Sequence, residues 1–191
     1  SPIIGASEDI RVYPHGQFPV IISGQQGPEI HSMNYSLIPS WSKVRKPKFA
    51  TYNARVECLT DKPTWRDPLK THRCIVGISS FFENCHEGSH KGYQVQFGSD
   101  DLWTVAGLWS EWTDKESGEI LESFAIITTK PTKFIEEVGH DRSPIFVKDS
   151  CIDSWLDPSM QDSKHAIQIL RDNYQPLDKA EVTNVRKLKS G

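Results

Sequence analysis

Short apolar runs recur along this chain between clusters of turn residues, and their periods predict its elements. Tyr93-Gln94-Val95-Gln96-Phe97 alternates strictly between apolar and polar, the pattern of a strand buried on one face. Phe18-Pro19-Val20-Ile21-Ile22 predicts a strand ended by Ser23-Gly24 and Gly27-Pro28, and Ile30 to Ile38 supplies its hairpin partner. Cys74-Ile75-Val76-Gly77-Ile78 is a continuous apolar run, hence a buried strand, with Phe81-Phe82-Glu83 following. Residues 102–109 and 123–129 give two more strands, with Ser117-Gly118 as a hairpin turn between them, and Pro144-Ile145-Phe146-Val147 gives another. Helical spacing is rarer. It predicts a short helix over Lys133–Val138, a turn capped by Asp149-Ser150 and leading to Trp155-Leu156, and a helix over Ser163–Asp172. In the last, Ala166, Ile167, Ile169 and Leu170 share a face and Ser163 is the N-cap. The sum is α+β: one β-rich domain over residues 1–191, a barrel-like sheet with peripheral helices.

Composition narrows the function classes. Charged residues make up 25% and apolar ones 37% of 191, as in ordinary soluble domains. No run of 18 apolar residues predicts a membrane span, and Ser1-Pro2-Ile3-Ile4-Gly5 lacks the pattern of a signal peptide. A net charge of −3 argues against coating nucleic acid by bulk charge. A local basic groove is still open to it, because Lys43, Arg45, Lys46, Lys48, Arg55 and Arg66 crowd one span; a solvated loop reads equally well from charge alone. Cys58, Cys74, Cys85 and Cys151 form no Cys-x-x-Cys pair, so neither a zinc site nor a disulfide framework is expected. Reduced thiols and absent targeting signals imply a cytoplasmic protein in a bacterium, or a nuclear one in a eukaryote.

Three groups could carry chemistry. Glu83 follows two phenylalanines at the end of an apolar run, where desolvation would raise its pKa toward neutrality; the alternative is a strand-end carboxylate in water. His140 sits in Gly139-His140-Asp141-Arg142, on a loop between a helix and a strand, and could act as an acid–base group or simply be exposed. In Thr51-Tyr52-Asn53-Ala54-Arg55-Val56-Glu57, two-residue alternation puts Asn53, Arg55 and Glu57 on one side. An amide there could orient a carbonyl and a guanidinium, supported by Glu57, could grip a phosphate, or the three could be a plain polar strand face. Tyr35, Trp41 and Trp65 flank the basic span, where aromatic rings could stack on unpaired bases or pack in the core. Dinucleotide, P-loop, zincin and nucleophile-elbow motifs are absent.

Taken in order, Pro14-x4-Pro19-Val20-Ile21, Leu37-Ile38-Pro39-Ser40-Trp41, Asn53-Ala54-Arg55-Val56-Glu57, Arg73-Cys74-Ile75-Val76, Phe81-Phe82-Glu83, residues 106–112, residues 123–129 and His140-Asp141-Arg142-x-Pro144 resemble the SRAP family, the SOS-response-associated peptidase or abasic-site processing proteins. The resemblance implies a groove for single-stranded DNA and a covalent cross-link to abasic sites, formed through the amine and thiol of an N-terminal Cys as a thiazolidine. It places the catalytic roles on Asn53, Glu83 and His140. DNA contacts fall on Arg55 at a phosphate, with Tyr35, Trp41 and Arg142 beside it, and no metal or other cofactor is implied. A monomer is expected. The peptidase activity it implies is chiefly self-removal of the leading Met. The chain departs from the pattern where it begins Ser1-Pro2 rather than with Cys, and at Tyr35-Ser36, Ser79-Ser80, Asn84 and Ser143. A thiol peptidase acting in trans through Cys58 or Cys85, and a binding module that has lost its nucleophile, are the other readings.

Overall fold

A computed structural model describes residues 11–189, so the expectation about Ser1 lies outside the described residues. Strands β1 (Gln17–Gly24) and β2 (Gly27–Tyr35) form the first hairpin. After a long excursion come the short β3 (Asn53–Arg55), a single 3-10 turn at Val56–Cys58 and helix α1 (Pro63–Thr71). Strands β4 (Arg73–Cys85), β5 (Tyr93–Thr113) and β6 (Ile120–Thr129) make up most of the sheet. Helix α2 (Lys133–Val138), strand β7 (Ser143–Pro144), helices α3 (Ile152–Leu156) and α4 (Ser163–Asn173), and strand β8 (Glu181–Lys187) complete the chain.

The sheet closes on itself. Strand β6 pairs in parallel with β2, β2 with β1, β1 with β4, β4 with β5, and β5 again with β6, which leaves a five-stranded barrel extended by β3, β7 and β8. Closure explains why some strands alternate and others do not. Cys74, Val76, Val105 and Phe124 point into one cluster with Val20, Met33 and Phe97, inside the barrel. Their neighbours Ile75, Ala106, Leu108 and Ala125 point the other way, into a second cluster under α1, α3 and α4 with Trp65, Leu69, Trp155 and Leu170. A strand covered on both faces reads as a continuous apolar run, and one open on a face alternates.

Some boundaries differ from the sequence reading. The two strands expected at 93–97 and 102–109 are one, because β4 and β5 stay paired across a bulge: five residue steps from Gly98 to Trp103 oppose two from Ile78 to Ser80. The N-cap of α4 is Asp162, whose carboxylate accepts from the Lys164 and His165 amides at 2.8 and 3.4 Å, so Ser163 is the first helical residue instead. Helix α1 was not legible. Pro68 inside it argues for a break, but Pro63 starts the first turn, where its missing N–H costs nothing, and Trp65 and Leu69 bury one stripe.

Arg73 ties this helical layer to the barrel. It is almost fully buried, and its guanidinium donates to the carbonyls of Leu69 and Lys70 at the end of α1, and of Trp155 and Asp157 at the end of α3. Helix C-termini leave such carbonyls without intrahelical donors, and one planar cation supplies them for two helices.

Candidate functional site

Two pairs of side chains make up the site, the first where β2 ends and β3 begins. On one edge of β6, Asn34 and Tyr35 of β2 pair with Ser123 and Phe124, and Asn53 to Arg55 of β3 then pair with Ile126 to Thr128. The chain between leaves the barrel and returns, closed at its base by the Leu37 amide on the Thr51 carbonyl at 3.1 Å and by the Ser36–Thr51 hydroxyl pair at 2.9 Å. This succession brings Tyr35 against Asn53: the phenol donates to Asn53 Oδ1 at 3.1 Å. Ala54 is fully buried, so Asn53 and Arg55 share the outward side, as two-residue alternation requires.

Glu83 lies on β4 with Phe81 and Cys85 on its side of the strand. Phe81 stacks on Phe97 at 4.8 Å, and Cys85 is fully buried, so the carboxyl stands in an apolar wall. Burial, reinforced by the Asp141 charge, pushes Glu83 up from 4.5 to about 8. His140 Nε2 lies 3.0 Å from Glu83 Oε2, and its Nδ1 lies 3.3 Å from the Asn84 carbonyl. Because a carbonyl only accepts, Nδ1 carries a proton, which leaves one proton between Nε2 and the carboxyl. Burial holds His140 below the ordinary imidazole range, and the nearby His86 lowers it further against the opposing pull of the Asn84 carbonyl and Asp141. Both partners thus favour their neutral forms, with Glu83 donating to Nε2.

The remaining expected residues fall into two groups. Arg55 is exposed and Trp41 is 55% exposed, with Lys43, Arg45, Lys46 and Lys48 exposed on the same excursion. Tyr35 and Arg142, expected to touch DNA, are engaged internally. The Tyr35 ring stacks on Phe124 at 5.0 Å, and burial followed by the Glu83 charge drives its phenol well above the ordinary range. Arg142 donates to both Glu57 oxygens at 3.1 and 3.0 Å and to the Thr128 carbonyl at 2.8 Å. Glu57 is therefore the partner of Arg142 rather than the support expected for Arg55, and the Arg142 guanidinium foremost holds its carboxyl below the usual range. The 3-10 turn after β3 causes the difference, because it ends the two-residue period at Arg55.

Sequence reasoning missed Arg11, whose guanidinium lies 5.0 Å over the Phe82 ring. The segment from Arg11 also reaches β2, where the His15 amide donates to the Tyr35 carbonyl at 2.6 Å. Arg11 thus packs on the strand that carries Glu83, and His15 on the one that carries Tyr35. The thiols do not join it: Cys74, Cys85 and Cys151 are buried and driven up by burial, and Cys58 packs half-buried against the helical layer. Among the described residues, no group of His, Cys, Asp and Glu side chains is arranged to hold a metal ion.

Residues 5–188 match the SOS response associated peptidase (SRAP) family. The chain belongs to the SRAP family. Among its relatives in the family is the Bacillus subtilis abasic site processing protein YoqW, 32% identical over 170 residues that cover 88% of this chain and 73% of that one. The chicken abasic site processing protein HMCES is 28% identical over 162 residues, covering 73% of this chain and 48% of its own length. A crystal structure from Bacteroides thetaiotaomicron superposes with a TM-score of 0.72 at 29% identity, over 90% of this chain and 75% of that one. One from Bordetella bronchiseptica has the same fold, with a TM-score of 0.75 at 20% identity over 94% and 90%. This family member thus has an SRAP barrel. Its described residues include no helix long and apolar enough to cross a membrane.

Proposed function

We infer that this protein processes abasic sites in single-stranded DNA by forming a covalent link to the opened sugar. The observation that carries the reading is the 3.0 Å contact between Glu83 and His140, a half-buried pair holding one mobile proton, whose carboxyl acts electrostatically on the Tyr35 phenol that holds Asn53. The names of its relatives, abasic site processing proteins, support the substrate class.

The ring-closed abasic sugar opens to an aldehyde when its ring oxygen gains a proton and its C1 hydroxyl loses one: the proton shared by the pair reaches the ring oxygen through His140 Nε2, and Glu83, left as the carboxylate, takes the hydroxyl proton. An N-terminal α-amine then attacks the aldehyde carbon. The new C–N bond gives a carbinolamine, whose hydroxyl takes a proton from Glu83 and leaves as water while the nitrogen returns its proton to the Glu83 carboxylate, so that an imine remains. A carboxyl raised to about 8 is still protonated at neutral pH and can make that donation. Where the N-terminal residue is Cys, its thiol adds to the imine carbon and its proton passes to nitrogen, which closes a thiazolidine. Asn53, fixed by Tyr35, orients the amine or the open-chain hydroxyl. Arg55 grips a flanking phosphate and Trp41 stacks on a base, while Arg142 acts from behind by holding the His140 loop. Hydrolysis of a peptide in trans by Cys58 or Cys85 is disfavoured, because Cys85 is buried and Cys58 packs against the helical layer rather than beside Glu83 and His140.

The test is to incubate the native full-length protein with single-stranded DNA carrying one abasic site and to resolve the products on a denaturing gel. A heat-stable shifted band is expected. Binding without a shifted band, from protein whose N-terminal Cys is verified by mass, would leave a non-catalytic DNA-binding module instead.

A further inference from the structure

We propose that the loop joining β4 and β5, residues 86–92, is a positioning device for His140, clamped against the residues before it by a contact between Gly88 and Gly139. The proposal rests on the reading of Glu83 and His140 as the acid–base pair. Gly139 follows α2 at φ +124°, and a Cβ there would fall 2.0 Å from the Glu87 carbonyl oxygen. Gly88, at φ +67°, would put a Cβ 2.6 Å from the Glu137 carbonyl oxygen and 2.7 Å from Gly139 Cα. Two main chains therefore meet with no room for a side chain between them.

The contact is hydrogen-bonded as well as close. The Ser89 amide and hydroxyl donate to the Glu137 carbonyl at 2.8 and 3.0 Å, and the His90 amide donates to the Val138 carbonyl at 3.1 Å. These are the last carbonyls of α2, which would otherwise lack donors. Strand β8 holds the loop from its other side. His90 Nδ1 pairs with Asn184 Oδ1 at 2.8 Å, and the Leu188 amide, just beyond β8, donates to the Gly92 carbonyl at 2.8 Å. The residue before His140 is thus fixed through its backbone, and the ring is fixed at both nitrogens by Glu83 and the Asn84 carbonyl. Glu83, Asp141 and His86 are the ionisable groups that act on the imidazole. A histidine on an ordinary loop would sample several rotamers, whereas this one starts close to the geometry that proton transfer needs.

The experiment follows the His140 imidazole by NMR across pH in the whole chain, together with abasic-site cross-linking. In Gly88→Ala the His140 pKa is expected to rise toward the ordinary imidazole value as water enters, and cross-linking to slow roughly tenfold or more. Gly92→Ala is the control. It lies in the same loop at φ +84° but has no atom within 4 Å of its added Cβ, so it carries the backbone strain without the clash. Its His140 titration should match wild type. An unshifted His140 in Gly88→Ala, or an equal shift in both variants, overturns the proposal. If Gly88→Ala does not fold, the double variant Ser89→Ala, Asn184→Ala cuts the two side-chain ties, and an unmoved His140 titration there overturns it as well. The NMR measurement does not depend on activity. A shift confined to Gly88→Ala, with a wild type that forms no cross-link, supports the positioning and removes the functional reading.

Discussion

Glu83 is the residue at which local sequence and tertiary environment agree most closely. Its place after Phe81-Phe82 announced desolvation, and the barrel wall supplies it through Phe81 and Cys85, while Phe82 faces away under Arg11. A carboxyl at 4.5 when unfolded and about 8 when folded binds its proton more tightly in the native state. Folding stability therefore falls as pH rises from about 4.5 to about 8 and levels off beyond. Glu83→Gln lacks this titration. Its thermal midpoint should gain on wild type steadily across that window and hold the gain above it, while cross-linking slows and DNA binding is kept. A midpoint difference that is flat with pH would show that Glu83 is an ordinary surface carboxylate. The roles of Tyr35 and Arg142 were legible only as polar or aromatic types near the site. Which atoms they touch depends on β6 aligning segments far apart in sequence, and no local pattern encodes that.

At the scale of elements, the strands of the barrel were legible because their apolar runs are strong and their turns carry Gly, Pro and Ser. Elements that failed to show themselves are those whose stability comes from contacts elsewhere. Helix α1 contains Pro68, and β8 is a polar strand whose Tyr93–Gly98 partner segment in β5 holds it at the sheet edge. Arg73 shows the same dependence. It reads as one more strand residue, yet it serves the ends of two helices. Arg73→Ala would bury those carbonyls without donors and is expected to cost about 3 kcal/mol or more, read as a lower denaturant midpoint at unchanged slope. Arg73→Lys should recover little, because one ammonium cannot span carbonyls on two helices. A variant as stable as wild type would mean that water replaces the guanidinium.

For the whole molecule, a net charge of −3 coexists with a basic excursion between β2 and β3, so any affinity for DNA must be local and salt-sensitive. Arg55→Ala should weaken binding to single-stranded DNA across sequences and reduce the salt slope by about 0.7, the loss of one phosphate contact. An unchanged slope would remove Arg55 from the interface. The sequence by itself determined the family, the β-rich α+β class and the chemical types at Asn53, Glu83 and His140. Short-range periodicity and the order of motifs are properties of the chain alone. Tertiary structure decided which groups pair: His140 with Glu83, Tyr35 with Asn53, Arg142 with Glu57 rather than Arg55, and Gly88 against Gly139. Those pairings arise where folding brings segments distant in sequence into contact, and hydrogen bonds and desolvation act there whatever the separation along the chain.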